Sequence, residues 1–584
     1  MTDNGIEWHE WSEEAFRKAK ELNRPILMDI SAAWCHWCHV MDQTSYSDKE
    51  VIRIVNSNFV AIKVDTDQRP DINRRYNVGG WPTTTFLTPE GEMITGATYV
   101  PPDQMRVLLR QVSDQYSRSA RKRKSTNATR QLQPEPRTKA PSRFESESSD
   151  LVVGDVVNMM LRAYDNVYGG FGDQPKFPNP DALCLALEQY YSTRDQGLNI
   201  LIVKTLNNMA SGGMYDRQRG GFFRYATRRD WNIPHYEKIL EDNAKLAMIY
   251  LDAFRVLGTP EYRQVAEQII NYVECTLSNR QIGGFYGSQD ADEEYYRTDL
   301  SEHESRNPPK VDTSIYTGPN ALMTSTYFLA SAVLRRPELE EFAFKTLAFF
   351  LDRYRDKTAM LCHTYRSDGP TPLHLMSDQI LLARSLVEAY KYSSNDSYLE
   401  KAEDLAKLAI DHFYDPDGGG FYDTILGPSS IGLLKVREKI IDENSWAAEL
   451  LLELCDLTGK KVYVEKAKET LGLFERAYRG YGILASSYAR VVYRLNAVLT
   501  KIVIIGDKSN QATAILRDEA LRYYSPRKTV QVLDPSFDRD KIDSFGYPVA
   551  DLPKAYVCVG QTCLEPMTNP EELSSRLSKF IAGG

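Results

Sequence analysis

The sequence has no long hydrophobic run. No window approaches 18 consecutive apolar residues, which excludes a membrane-spanning helix and leaves no membrane partner to expect. No secretory leader is expected either, because Met1-Thr2-Asp3-Asn4-Gly5-Ile6-Glu7-Trp8 carries neither a basic stretch nor an apolar core. Cysteine is scarce, with 8 in 584 residues, too few for a disulfide scaffold. Positive charge falls short of negative, 71 Lys and Arg against 80 Asp and Glu for a net −9, which argues against nucleic acid as a partner. These absences predict a cytoplasmic protein. Core material is ample: 42% of the residues are hydrophobic, and at roughly 100–200 residues per domain the length predicts about three domains.

Residues 1–116 alternate short apolar runs with helical stretches. Pro25–Ile30, Phe59–Asp65 and Trp81–Leu87 read as strands, and a helix is expected from about Cys35 to Asn56, giving an α/β module. Residues 117–150 hold Arg121-Lys122-Arg123-Lys124 and then Ser, Thr, Gln, Pro and Glu with almost no aliphatic side chains. That composition cannot offset its own ordering entropy, which predicts a flexible linker. From 499 to 584 short strands return, at Lys501–Gly506, Thr529–Leu533 and Ala555–Val559, around helices near 511–523 and 570–580. They predict a small α/β cap.

Between 151 and 498 the period is helical throughout. Twelve helices are predicted near 151–165, 181–193, 198–211, 238–257, 260–278, 318–334, 337–356, 377–393, 397–414, 442–458, 460–476 and 485–498. In the fourth, Leu240, Ala244, Ala247, Leu251 and Phe254 step by 4, 3, 4 and 3 along one face. Links after even helices are short, as in Leu257-Gly258-Thr259. Most links after odd helices are long and glycine-bearing, as in Gly169-Gly170-Phe171, Gly283-Gly284-Phe285 and Gly418-Gly419-Gly420-Phe421. Six hairpins joined in this way form a repeat. They predict an (α/α)6 toroid whose even helices make the inner ring and open their positive N-terminal ends on the long-loop side. An open helical solenoid is the alternative.

The sharpest motif is Trp34-Cys35-His36-Trp37-Cys38-His39, a C-x-x-C after a strand and at the start of a helix. The helix dipole and His36 favour the thiolate of Cys35, and Cys38, one turn on, can resolve a mixed disulfide. Asp29, six residues earlier on the strand, is expected to serve as a buried base. Trp81-Pro82 places a cis-proline candidate before a strand, so that Pro82 would shape the substrate groove. A structural cysteine pair and a zinc site are competing readings, though ligands this close need a second pair to close a tetrahedron. No metal and no cofactor are expected.

Cys35-His36-Trp37-Cys38-His39-Val40-Met41 closely resembles the motif of the spermatogenesis-associated, thioredoxin-domain-containing family, whose bacterial and archaeal members include the YyaL-type proteins. Gly169-Gly170-Phe171-Gly172-Asp173-Gln174-Pro175-Lys176-Phe177-Pro178, Pro234-His235-Tyr236-Glu237-Lys238, Asp242-Asn243-Ala244 and Asp290-Ala291-Asp292 extend the resemblance, and Ala555-Tyr556-Val557-Cys558 with Cys563 carries it to the C-terminus. It implies a thioredoxin-like domain joined to a toroid akin to six-hairpin glycosidases and sugar 2-epimerases. The chain is shorter than such proteins between Asp292 and Tyr316.

Polar residues gather where the inner helices should begin: Lys176, Tyr215, Asp216, Arg224, His235, Glu237, Asp242, Asn243, Asp290, Asp292, His374 and Asp442 are the candidate ligand-binding set. Acids beside aromatic rings suit a carbohydrate-like ligand. Paired carboxylates would serve glycoside hydrolysis, and a pair such as His235 and His374 would serve proton transfer in an epimerase. Helix capping accounts equally well for Asp181, Asp378 and Asp442. Cys184, Cys275, Cys362 and Cys455 read as core.

The expected function is thiol–disulfide exchange by the Cys35–Cys38 dithiol with a thiol or disulfide protein partner, coupled to a toroid that binds a carbohydrate-like or other polar ligand. The alternatives are a sugar-active enzyme, N-acylglucosamine or cellobiose 2-epimerase-like or glycosidase-like, with the first domain as a docking module, and a non-enzymatic assembly protein.

Overall fold

Strand propensity and burial agree most closely at Ile26–Ser31 (β2), whose six residues are all buried. Among the described residues it lies at the centre of a mixed sheet with Trp8–His9 (β1), Val60–Asp65 (β3), Thr83–Leu87 (β4) and Met93–Ala97 (β5), in the order β1-β3-β2-β4-β5. β1 and β2 run parallel to β3, while β4 runs antiparallel to β2 and β5. Alternation splits the strand between two cores. Ile26, Met28 and Ile30 pack with Trp11, Ile62 and Tyr76 on one face, and Leu27 packs with Met41, Tyr46 and Phe86 on the other. The computed structural model describes residues 5–123, 144, 149–298, 307–353, 360–427 and 430–582.

Among the described residues up to Arg123, the helices that accompany this sheet are Glu13–Leu22 (α1), His36–Gln43 (α2), Lys49–Asn58 (α3), Pro70–Tyr76 (α4) and Pro102–Arg123 (α5). The single helix expected over 35–56 is two, because Asp48 turns its carboxylate onto the N–H groups of Glu50 and Val51 and starts α3 afresh. Helix α5 passes the expected boundary at 116 and reaches Arg123; apart from Phe144, which is buried, and the helix that begins at Ser149, the rest of the expected linker lies outside the described residues.

The chain divides into two units, Met1–Lys139 with Ser288–Asp312 and Asp423–Glu438, and Ala140–Gly287 with Thr313–Tyr422 and Lys439–Gly584. Two loops expected to serve the toroid therefore belong to the first unit. In one, Ser288 and Gln289 pair antiparallel with Asp312 and Val311. In the other, Asp423 forms a buried 2.9 Å ion pair with Arg75, and Leu434 joins the core around Tyr76.

In the second unit the twelve predicted helices are present among the described residues: Ser149–Ala163 (α6), Pro180–Thr193 (α7), Gln196–Ser211 (α8), Leu240–Leu257 (α9), Pro260–Tyr272 (α10), Thr317–Leu334 (α11), Pro337–Arg353 (α12), Met376–Ser393 (α13), Asp396–Phe413 (α14), Ile441–Thr458 (α15), Lys461–Gly472 (α16) and Ser486–Asn496 (α17). The even-position helices pack in sequence, α7 on α9, α9 on α11, α11 on α13, α13 on α15 and α15 on α17, and α17 returns to α7. That closure makes the (α/α)6 toroid and rules out the open solenoid.

The Gly-rich loops close by a repeated clasp. Lys176 donates to Asp165 and to the Gly169 carbonyl, Lys238 to Asp216 and the Gly220 carbonyl, and Lys439 to Asp415 and the Gly419 carbonyl. Asn243, Asn320 and Asn444, on three inner helices, each bond both the N–H and the carbonyl of a loop phenylalanine: Phe222, Phe285 and Phe421. After the toroid, Thr500–Ile505, Lys528–Leu533, Lys554–Val559 and Thr562–Cys563 form the sheet of the α/β cap.

Candidate functional site

In the first unit, Cys35 is the N-cap of α2. Its Sγ accepts the Cys38 N–H at 3.2 Å, where the helix leaves N–H groups unpaired, and Cys35 and Cys38 are disulfide-bonded. Both residues are buried. The Trp81–Pro82 peptide is cis, and the Trp34 and Trp81 rings meet edge to face, centroids 5.5 Å apart. Trp34 Nε1 donates to Asp67 at 2.7 Å. Trp37 lies 44% exposed against Tyr99 and leaves an apolar surface beside the motif.

Asp29 lies on the face of β2 that packs toward α2. Burial pushes its carboxyl up to about 7, opposed by Lys63, whose Nζ lies 3.6 Å away, and by the Tyr46 hydroxyl, which donates at 3.4 Å. A carboxyl balanced near neutrality can take or give a proton at physiological pH. Lys63 is itself held by Asp42 at 2.7 and 2.8 Å.

Asp290, expected in the toroid funnel, is instead at this motif. Its carboxylate lies 2.9 and 3.0 Å from His39 Nε2. The Asp290 hydrogen bond, the charges of Asp290 and Asp42, and the Ala33 carbonyl together raise His39 above the usual imidazole range against the cost of burial. Asp292, also expected in the funnel, caps the short helix Glu293–Arg297 through the Tyr295 N–H.

In the second unit the funnel residues separate into structural and open groups. Lys176 and Asn243 are wholly buried, Asp216 and Tyr215 nearly so, and all four are engaged in loop closure: Lys176, Asp216 and Asn243 in the clasps, Tyr215 with Gln268 and the Phe222 ring. Lys238 and Glu237, whose sequence neighbourhood could pass for a solvated turn, are buried as well. His374 Nδ1 bonds the Leu361 carbonyl at 2.9 Å.

Arg224, Tyr225, His235 and Glu237 do come together, and Asp242 lies near enough for its charge to act on Glu237 and to feel Arg224. Tyr225 pairs with His235 across a two-stranded ladder and stacks on its ring at 4.6 Å. Glu237 sits 3.7 Å from Arg224 and 3.8 Å from His235, with no hydrogen bond to Oε2 among the described residues. Burial pushes Glu237 up to about 7, and burial pushes Asp242 up to about 6 against the pull of Arg224.

Asp181, Asp378 and Asp442 are not caps; the N-cap positions of their helices are Asn179, Leu375 and Ile440. Asp442 accepts from Ser487, and Asp181 faces Arg490 at 3.5 Å. Asp378 binds His363 Nδ1 at 2.9 Å and the Gly318 N–H at 2.8 Å. His363, buried and passed over in the sequence, is a further histidine that this fold couples to a carboxylate. Cys275, expected in the core, is exposed.

Inside the inner ring lies a cavity of about 240 Å³ to which all six inner helices contribute, through Asp181, Lys245, Ser325, Arg384, Trp446 and Arg490 among others. Ion pairs line it: Arg494 with Glu188 and Glu449, and Arg384 with Glu449 at 2.8 Å. The wall thus presents paired charges.

Residues 1–133 match the family described as Thioredox_DsbH, Protein of unknown function, DUF255. Human spermatogenesis-associated protein 20 is 27% identical over 98% of this chain and 90% of its own length. Thioredoxin H2 of Arabidopsis thaliana is 30% identical over 14% of this chain and 60% of its own length. A solved structure of D-mannose isomerase aligns with 56% of this chain and 86% of that one, at 13% identity and a TM-score of 0.48. The chain is thus a relative of spermatogenesis-associated protein 20, built from a thioredoxin-like first domain and an (α/α)6 toroid.

Proposed function

We propose that Cys35 and Cys38 form an exchanging dithiol. The observation that carries this reading is the position of Cys35 Sγ at the N-terminus of α2, where it accepts the Cys38 N–H and is joined to Cys38. In the reduced form the Cys35 thiolate attacks a disulfide sulfur of a protein partner and expels one partner thiolate. Cys38, its proton taken by a base of which Asp29 is the candidate, then attacks Cys35 Sγ and expels the second. Two electrons and two protons pass to the partner, and the Cys35–Cys38 disulfide remains. The likeness to Thioredoxin H2 over 14% of the chain supports this. Redox titration read by thiol alkylation and intact mass tests it. Reversible two-electron cycling, lost in Cys35→Ser, is expected; a Cys35→Ser protein that still exchanges, or a pair that never cycles, overturns it.

The toroid, in this reading, binds a carbohydrate-like or other polar small molecule. Glu237 and Asp242, two carboxyls raised toward neutrality beside Arg224 and His235, also favour a second reading, acid–base chemistry on a sugar. A thermal-shift screen of sugars followed by His235→Ala and Asp242→Asn separates the two: loss of an activity that survives Cys35→Ser supports the second, and binding without turnover the first.

A further inference from the structure

His39 Nε2 faces both carboxylate oxygens of Asp290, at 3.0 and 2.9 Å. A carboxylate at hydrogen-bond distance favours the charged imidazolium over the neutral ring. His39 directly follows Cys38 near the start of α2, whose N-cap is Cys35, so the ring stands on the helical turn that carries the Cys35 sulfur. The Asp290 carboxylate is prearranged, for its own N–H bonds the Lys310 carbonyl and its Oδ1 accepts the Ala291 N–H, both at 2.8 Å.

Around the motif the other facing groups are mostly acidic. Asp42 is drawn to Lys63, Lys63 is shared between Asp42 and Asp29, Asp67 takes the Trp34 indole, and Asp65 is pushed up to about 6 by burial, with Asp312 adding to the shift. A cation fixed here opposes that negative field.

Building on the exchange reading, we propose that Asp290 is a positioning residue of the redox site: it holds His39 as an imidazolium against the turn that carries Cys35, and that fixed charge favours the Cys35 thiolate. The carboxylate comes from a segment 251 residues further along the chain than His39. It acts through His39 and does not touch the reacting sulfur.

The test compares the full-length protein with Asp290→Asn, Asp290→Glu and His39→Asn. The pH dependence of Cys35 alkylation by iodoacetamide is followed in a Cys38→Ser background, and the equilibrium of the Cys35–Cys38 pair with glutathione in the intact dithiol. Asp290→Asn and His39→Asn are expected to raise the midpoint of thiolate formation by about one unit. They should also shift the equilibrium about tenfold toward the disulfide, about 30 mV for a two-electron couple. Asp290→Glu restores most of the effect. The Asp290→Asn loss deepens between pH 6 and 8, as His39 gives up its proton, whereas the His39→Asn loss does not. Midpoint and equilibrium unchanged in both variants would reduce the pair to a tether and overturn the proposal. A wild-type pair that never equilibrates with glutathione would instead defeat the exchange reading, while the alkylation profile would still decide the role of Asp290.

Discussion

Lys238 places its ammonium 2.8 Å from Asp216 with both side chains shut away from solvent, and its remaining donors reach the Gly220 carbonyl at 2.7 Å. Lys176 and Lys439 repeat the arrangement in two other loops. Lys176, expected from the sequence among the ligand-binding residues, is thus an internal strut of its loop.

Removing one partner of such a buried pair strands the other charge. Lys238→Met is expected to cost about 3–5 kcal/mol of second-unit stability. Lys439→Met should cost less, because that pair is 15% and 17% exposed. Gly220→Ala should be as damaging as Lys238→Met, since a Cβ there would lie 2.3 Å from the Gln268 carbonyl oxygen in a backbone with φ of +78°. Urea unfolding followed by circular dichroism measures all three.

Asp29 titrates from its ordinary value of 3.8 in the unfolded chain to about 7 in the folded one. The folded state therefore holds the proton more tightly, and stability falls as pH rises from about 4 to about 7. Asp29→Asn removes that slope. The variant is expected to unfold at a higher temperature than wild type at pH 8 and to match it near pH 4. In the same variant Cys38 should resolve mixed disulfides more slowly, roughly tenfold or more, if Asp29 takes its proton. Thermal melts across pH and stopped-flow thiol release provide the readouts.

Glu237 follows the same sign, from 4.5 to about 7, with no hydrogen bond to one carboxyl oxygen among the described residues. Glu237→Gln should stabilise the second unit above pH 7, with the gain vanishing below about pH 5. If the carboxyl engages a ligand hydroxyl or moves a proton, the same variant loses binding or turnover. A more stable protein with weakened function is the expected combination, read by melting temperature and by the sugar screen.

Cys558 and Cys563 face each other across the hairpin of the cap and are disulfide-bonded. Because they close so short a loop, the double Ser variant should lose only about 2 kcal/mol or less. Cys35→Ser with Cys38→Ser abolishes exchange in this reading, whereas Cys558→Ser with Cys563→Ser leaves Cys35–Cys38 cycling intact, as measured by alkylation and mass.

Much of the architecture was legible because it is written in local patterns. Leu240, Ala244, Ala247, Leu251 and Phe254 share a helix face by spacing alone, and Trp34-Cys35-His36-Trp37-Cys38 declares a strand-to-helix turn with a thiol at the helix start. The alternation of short links with Gly-rich ones marked the hairpins. Local pattern failed where one side chain diverts the backbone. Asp48 capped a new helix in the middle of an apolar period that otherwise ran on to Asn56.

Site residues were less legible, for a different reason. An aspartate at the start of a helical segment looks the same whether it caps the helix, pairs with a buried histidine or answers a lysine, because only the partner distinguishes these roles. Asp378 with His363 and Asp216 with Lys238 were decided by what lay across the fold.

The sequence by itself determined the helix and strand periods, the six-hairpin repeat and the C-x-x-C motif, since these rest on residues within a turn or two of one another. Tertiary structure alone decided that α17 returns to α7 to close the ring, that ion pairs line its lumen, and that Asp290 meets His39 rather than the toroid funnel. These contacts join residues hundreds of positions apart, and charge and burial act through space, so no local pattern records them.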